Sequence, residues 1–350
     1  MERLRWLDLG HLSASALHQA YQALATLRRA EDPSLLVLAS AEPHLSLGAS
    51  QVAGLELDRD ACASSLPIIQ RPIGGGLVWV EPAHLNYFLL VTPTARRRRP
   101  EQLLAAIAPT IQAVHTHFGI SVELAAEQEF RCRGRRIGST GAASIGNSLV
   151  LAGSYLLHTD WAGFADRVAA PSEGFRATLR QALSASLTSW AEELETAVPA
   201  HTRIKQVWQE QLQTQSWQVM EGALSGAERA AMLQAELEPV DWEGGGRRRV
   251  ANGIKLRAGA FLTERHWTDG WLRVWTEDGR YRAVESDALP GDICRALVGM
   301  SADSAQHRAL FARVLGDAAE HWQRRLSELA VWTDQSCTGE TDANDPRPLT

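Results

Sequence analysis

Residues Gln70-Arg71-Pro72-Ile73-Gly74-Gly75-Gly76-Leu77-Val78-Trp79-Val80 constrain this chain more than any other stretch. One apolar run precedes them (Leu66, Ile68, Ile69) and another follows (Tyr87 to Val91). The pattern predicts strand, glycine-rich turn, strand. Three successive glycines let the backbone reach positive φ and let another group approach without meeting a Cβ. Arg71 adds a fixed positive fork beside exposed N–H groups, an arrangement suited to a phosphate or carboxylate. The same residues suit a plain hairpin with a flexible turn, so the segment gains meaning only from its surroundings.

The 350 residues suffice for a large core and two domains. With 45% hydrophobic and 22% charged residues, the composition is that of a soluble globular protein. A net charge of −6 argues against a nucleic-acid binder, whose footprint is usually basic. The first residues lack the apolar stretch of a secretory signal, and no run of about 18 apolar residues occurs, so neither export nor a membrane span is expected. Cys62, Cys132, Cys294 and Cys337 form no CxxC pair, which predicts a cytoplasmic protein without disulfides or zinc. Only Cys132, between Arg131 and Arg133, has a setting that could lower a thiol pKa. An ordinary strand cysteine is the plainer reading. The histidines are dispersed; His115 and His117 are close, but on a helix they point to different faces. No metal site is expected.

Helical spacing covers residues 14–29, with Leu17, Tyr21, Leu24 and Leu27 on one face. Short strands are predicted at 35–38 and 44–47, the second closing on a turn that ends at Gln51, and another at 86–91. The run Arg96 to Arg99 reads as a solvated loop or as a patch that steers an acidic partner. A helix over 101–118 is followed by a hairpin from 122–130 and 133–137, then by small residues to Ala143 and an apolar strand over 148–157. Helices follow at 175–198, 203–212 and 226–237. Glu243 to Arg249 has linker composition. Beyond it, Glu277-Asp278-Gly279 marks a hairpin, helices are predicted at 292–298 and 305–329, and the polar tail from Thr333 is expected to be disordered.

Three of these pieces, in order, resemble the lipoate–protein ligase A family, which shares its catalytic fold with biotin protein ligases and octanoyltransferases. His44-Leu45-Ser46-Leu47-Gly48-Ala49-Ser50-Gln51 is similar to the family's strand and Gly-x-x-Gln turn. Arg71-x-x-Gly74-Gly75-Gly76-x-Val78, with Leu85-Asn86-Tyr87, is similar to its arginine–triple-glycine segment. Gly134-Arg135-Arg136-Ile137, running on to Gly153-Ser154-Tyr155-Leu156-Leu157, is similar to its lysine-bearing segment and the strand after it. The resemblance covers roughly residues 4–161. More loosely, Gly253-Ile254-Lys255-Leu256, residues 274–279 and Leu289-Pro290-Gly291-Asp292 resemble the family's accessory domain.

The resemblance implies an α+β fold with mixed and antiparallel sheets and flanking helices, a biotin/lipoate protein ligase-like catalytic domain over 1–240. A small α+β accessory domain over 247–332 and a tail over 333–350 complete the expected organisation. It implies activation of lipoate or octanoate by ATP, with Mg²⁺, to an acyl-adenylate. The acyl group then passes to a lysine of a small lipoyl carrier, either a lipoyl domain or a glycine-cleavage-H-like protein. Arg71 is implied on the adenylate phosphate, and the backbone at Gly74, Gly75 and Gly76 on the acyl carbonyl and chain. Strand alternation alone sets Val78 and Leu90 beside the chain, and the resemblance implies Asn86, Gly138, Ser139, Gly153 and Ser154 around the ligand. The family lysine that bridges carbonyl and phosphate falls on Arg136, which keeps the charge without the point geometry of an ammonium.

Other positions depart from the family pattern. Its first paired arginine falls on Gln70, a histidine on Val80, an aspartate on Glu81, a glycine on Ala83, an asparagine on His84 and another histidine on Ala152. No cysteine stands near Ser121, Leu124 or Ala125, where the cysteine-dependent octanoyltransferases carry their nucleophile, which disfavours an acyl-enzyme. His84 and His158 read more simply as surface or strand histidines, and Lys255 as an exposed lysine. Three activities stay open: an ATP-dependent ligase, an ATP-independent octanoyl or lipoyl transferase, and a non-catalytic protein that binds an acyl chain or its carrier.

Overall fold

The computed structural model describes residues 2–62, 66–93, 99–125, 128–215, 217–245, 248, 250–301 and 305–331. Arg96 to Arg98 and the tail from Thr333 lie outside the described residues. The chain divides into two compact units, Met1–Gly246 and Arg247–Thr350. Among the described residues no helix is long and apolar enough to cross a membrane.

The first unit is built on strands β1 (Glu2–Leu12), β2 (Ser34–Ala41), β3 (His44–Leu47), β4 (Ile68–Gln70), β5 (Val78–Val80), β6 (Leu85–Val91), β7 (Glu123–Ala125), β8 (Glu129–Cys132), β9 (Arg135–Ile145), β10 (Ser148–Tyr155) and β11 (Trp217–Glu221). Eight of them form one mixed sheet in the order β11-β1-β2-β6-β10-β9-β8-β7. Its two faces bury different partners, because side chains alternate across a strand. Leu4, Trp6, Leu36, Leu89 and Leu151 pack on one face against helices Pro100–His117 and Trp190–Glu193 and helix His201–Thr214, through Ile107, Ile111, Trp190 and Trp208. Leu7, Leu35, Val37, Phe88, Leu90 and Val150 pack on the other against Leu17, Tyr21 and Leu24 of helix Ala14–Leu27. Ser13 caps that helix by accepting from Ala16 N.

The alternation Leu4, Trp6 against Arg3, Arg5 makes β1 a strand that the sequence reading passed over. Strand β9 is also longer than the small residues suggested, running as sheet from Arg135 to Ile145. The helix read over 175–198 breaks into Glu173–Ser186 and Trp190–Glu193, since Leu187 to Ser189 are extended; Thr188 N donates to Arg136 O.

A smaller sheet of order β4-β3-β5 carries the glycine segment. β4 runs parallel and β5 antiparallel to β3. The hairpin expected around the glycines is therefore absent: β3 lies between the two strands, and residues 71–77 cross its end instead of joining neighbours.

The second unit is an antiparallel meander of β12 (Gly253–Arg257), β13 (Ala260–Trp267), β14 (Gly270–Glu277) and β15 (Arg280–Ser286). Asp278 and Gly279 both take positive φ (48° and 76°), the tight two-residue turn that Asp-Gly favours. Leu272, Val274, Tyr281 and Val284 pack with Ile293 and Leu297 of helix Gly291–Leu297 and with Trp322 and Leu326 of helix Ala319–Leu329. The single helix read over 305–329 divides at a 3₁₀ turn over Gly316–Ala318.

Candidate active site

Arg71 organises the glycine segment from within. Its Nη1 donates to Ser46 O on β3 at 2.6 Å, and its Nη2 donates to Gly74 O at 3.0 Å and Gly76 O at 2.7 Å. One guanidinium thus ties the loop to the strand it crosses. Burial pushes the Arg71 pKa down to about 10, so the group stays cationic at neutral pH.

The three glycines differ in what they need. Gly75 has φ 103°, a conformation that L side chains rarely adopt. Gly48 faces it across the turn, where a Cβ would fall 2.0 Å from Gly75 O. At Gly74 and Gly76 a Cβ would meet nothing within 4 Å. Folding demands glycine at 48 and 75, whereas at 74 and 76 the open side is available to a ligand. Gly48→Ala is therefore expected to cost about 1–3 kcal/mol of stability. Gly74→Ala and Gly76→Ala should stay within about 0.5 kcal/mol of wild type in the same urea titration. A destabilised Gly76→Ala with an intact Gly48→Ala would reverse the assignment.

The loop lies over a strip of small residues on the large sheet. A Cβ on Gly141 would touch Ile73 Cγ2 at 3.2 Å and Gly74 O at 3.8 Å. Gly141 pairs with Ala152, and Ala152 with Phe88; two residues along on the same face, Ser154 pairs with Asn86. Asn86 is buried and donates from Nδ2 to Ala39 O at 3.3 Å. Ser139 is exposed on the same face and pairs with Glu129.

A bulge at Ile137 decides where Arg136 points. The β8–β9 register shifts there: Phe130 pairs with Gly138 and Arg131 with Arg136. Ile137 is in the core beside the 100–117 helix, and a Cβ on Gly138 would also lie toward Phe130. Two successive residues thus face that core, which leaves Arg136 on the same side as Ser139 and Gly141. There Arg136 Nη1 stands 3.6 Å from Glu129 Oε1, and Arg131 Nη2 stands 3.4 Å from Glu129 Oε2. Glu129 is 4% exposed. Glu129 thus stands as a buried carboxylate between two guanidiniums on this edge of the strip.

Not every expected residue joins it. Gly153 faces the opposite core, where a Cβ would fall 2.3 Å from the Tyr87 hydroxyl, and Gly138 faces Phe130. In this structure both make room for packing. Val78 is exposed, and Leu90 is enclosed in the core under the helix Ala14–Leu27. Lys255 is on β12 of the second unit.

The catalytic-domain model of the lipoyl protein ligase A/B family matches residues 14–213. The chain belongs to that family. No curated protein sequence matches it. Among solved structures, the bipartite lipoate protein ligase of Thermoplasma acidophilum, described with its E2 lipoyl domain, is 14% identical with TM-score 0.60, covering 67% of this chain and 92% of that one. A lipoate-protein ligase A bound with ATP is 13% identical with TM-score 0.57, covering 67% and 94%. A T. acidophilum structure with bound lipoic acid is 13% identical with TM-score 0.56, covering 67% and 94%. At such identities the likeness is one of fold.

Within this lipoyl ligase fold, three of the positions that depart from the family pattern, Gln70, Val80 and His84, have taken up structural work. Gln70 is buried; its Nε2 donates to Gly48 O at 2.5 Å and Gln51 O at 3.1 Å, while Gln51 Oε1 accepts from Gly48 N. It braces the turn beneath Gly75. Val80 is buried in the apolar cluster with Ile73 and Tyr21. His84 is buried, and its Nε2–H donates to His158 O at 2.9 Å while Nδ1 accepts from Glu81 N at 3.4 Å. Burial pushes its pKa down to about 4, so it is a neutral brace.

Cys132 is buried, and its thiol donates to Glu193 Oε2 at 3.3 Å. Burial and that carboxylate push its pKa up to about 11. Glu193 in turn takes Arg135 Nη2 at 2.7 Å and Thr188 Oγ1 at 2.7 Å. The thiol is protonated and braces this loop, so Cys132→Ala should leave any acyl transfer unchanged. A variant that loses transfer but keeps its melting temperature would reinstate it as a nucleophile.

Sequence reasoning missed Glu129, which lies in no glycine- or arginine-rich motif. It also missed the chemistry of His18 and His44. Histidines at those positions face each other only because the helix Ala14–Leu27 packs beside β3.

Proposed function

We propose that this chain is an adenylate-forming lipoate–protein ligase. ATP activates lipoate, octanoate or a related acid, and the acyl group then passes to a lysine on a small lipoyl carrier protein. A carboxylate oxygen attacks the α-phosphorus and pyrophosphate leaves; in the second step the lysine amine attacks the acyl carbonyl and AMP leaves. The observation that carries this reading is the strip of small residues, Ser139, Gly141, Ala152 and Ser154, with the Arg71 loop over it and the Arg136–Glu129–Arg131 cluster on its edge.

Carboxylate and triphosphate repel as they approach, so the first step needs fixed positive charge where they meet. Arg71 takes the α-phosphate, exchanging neutral carbonyl acceptors for a charged one. The backbone at Gly74, Gly75 and Gly76 takes the acyl group, and Arg136 bridges carbonyl and phosphate in the family lysine's part. Val78, Asn86, Ser139 and Ser154 line the ligand, and Gly138 and Gly153 act through their backbone. The second unit serves as the accessory domain, which suits a two-step enzyme that reorganises between adenylation and transfer.

Mg²⁺ is implied by the family. Among the described residues no group of three or more His, Cys, Asp and Glu side chains is placed to hold a metal, and Glu129 already stands between two guanidiniums. Mg²⁺ would instead enter on the ATP phosphates, with one or two protein carboxylates at most, and the roles above are those of the protein's own cations.

The likeness to structures described with lipoic acid, with ATP and with a lipoyl domain supports this reading. Purified protein given lipoate and ATP is expected to release pyrophosphate and form acyl-AMP. If it does neither, the ligase reading fails; if it then moves an acyl group from a carrier thioester, it is a transferase, and if it only binds, a non-catalytic homologue.

A further inference from the structure

Beneath the glycine segment lies a buried chain of polar groups. His44 Nδ1 is 2.7 Å from Glu42 O, His44 Nε2 is 3.0 Å from His18 Nε2, and His18 Nδ1 is 3.1 Å from the Tyr21 hydroxyl. His18, Tyr21 and His44 are 4%, 0% and 0% exposed.

The carbonyl fixes every proton in the chain. Glu42 O only accepts, so His44 Nδ1 carries the hydrogen and a neutral His44 has a bare Nε2. His18 must then donate from Nε2, which leaves its Nδ1 to accept from the Tyr21 O–H. The direction is Tyr21 to His18 to His44 to Glu42. One added proton is accommodated, because the N–H···N contact persists and the Tyr21 hydroxyl turns round to accept; only a second, which puts hydrogens on both Nε2 atoms, sets two N–H groups against each other.

The chain joins the elements that hold Arg71. His18 and Tyr21 belong to the helix Ala14–Leu27, and His44 begins β3, on which Ser46 accepts from Arg71. His44 also pairs with Val80, where the glycine segment re-enters the small sheet. The Arg71 charge acts on both His18 and Tyr21, and it disfavours a proton on His18. Glu42 acts on His44, and His44 also couples to the titratable ring of His84.

We propose that Tyr21, His18 and His44 are positioning residues for Arg71: their one-way hydrogen-bond chain locks β3 to the 14–27 helix and so sets the glycine loop for its anion. The inference rests on reading Arg71 as the anion-holding residue. Both rings are neutral at physiological pH, and the loop is uncoupled only when acidification protonates the two of them.

The test starts with ¹⁵N-histidine-labelled protein. A scalar coupling between His18 Nε2 and His44 Nε2 is expected at pH 7.5, fading on acidification together with a rise in amide hydrogen exchange over residues 73–78. His18→Leu leaves Tyr21 and His44 without their partner, and is expected to raise that exchange about ten-fold or more and weaken ATP binding. His18→Gln, whose amide can both donate and accept, should restore most of the loss. Absence of the coupling overturns the proposal, and so does a folded His18→Leu variant whose 73–78 exchange matches wild type. Both readouts need no substrate, so they decide the relay even if wild-type protein binds no ATP, in which case only the ligase reading falls.

Discussion

Arg136→Ala is expected to lower acyl-AMP formation about 10²- to 10³-fold, the loss typical when a donor aimed at developing charge is removed. Arg136→Lys should retain or raise the rate. Both follow from where the side chain sits. The bulge at Ile137 turns Arg136 onto the strip of small residues, and Glu129 holds the guanidinium from the side. A planar fork in that position can grip a phosphate with two bonds, but it cannot contract to a point between carbonyl and phosphate as an ammonium does. The alanine variant should fold, because Glu129 keeps Arg131 as a partner and is not left as an isolated buried charge. Pyrophosphate release and trapped acyl-AMP, measured beside urea unfolding, separate the two effects. An alanine variant with wild-type turnover would remove Arg136 from the chemistry.

The second large effect is on stability. His84 and His115 are buried neutral, each with a pKa pushed down to about 4, and His18 and His44 are lowered as well. In every case burial is the main cause, because it penalises the charged imidazolium. His115 Nδ1–H donates to Ile111 O, with its ring packed between Tyr155 and Trp190.

In the unfolded chain these rings titrate near pH 6.5. Between about pH 6.5 and pH 4 the unfolded state therefore binds more protons than the folded one, and stability falls as pH falls. It is complete above that window. By pH 4, His84 and His115 each withdraw about 3 kcal/mol, a large share of a typical net stability of about 5–15 kcal/mol. Urea titrations at steps from pH 7.5 to 4.5 should show a steep decline, and His115→Phe should flatten it by its share. A flat profile would mean that these histidines accept protons in the folded state.

How much of this was legible in the sequence follows from which contacts are local. Arg71 and the glycines stand within one short stretch, so their joint character was readable. The β3 strand between the two flanking strands was not, because β3 reaches them only through non-local pairing. Asp278-Gly279 encodes its turn in two residues and was read without difficulty. The site face of β9 was harder: alternation alone would assign Arg136 and Gly138 to one side, and the extra residue at Ile137 separates them.

Family likeness named Gln70, Val80 and His84 as departures, but their present work depends on packing. Gln70 holds the 48–51 turn, Val80 fills the core and His84 pins the chain at His158. The His18–His44 contact spans residues far apart in sequence and had no local signal at all.

The central claim is that Arg71 and Arg136 bracket a single acyl-adenylate. Calorimetric titration with a non-hydrolysable lipoyl-AMP analogue tests it most directly. Wild-type protein should bind it tightly, and Arg71→Ala and Arg136→Ala should each weaken binding about ten-fold or more, the scale of a lost charge-assisted contact. Wild-type protein that ignores the analogue, or folded variants that bind it as tightly as wild type, would contradict the account.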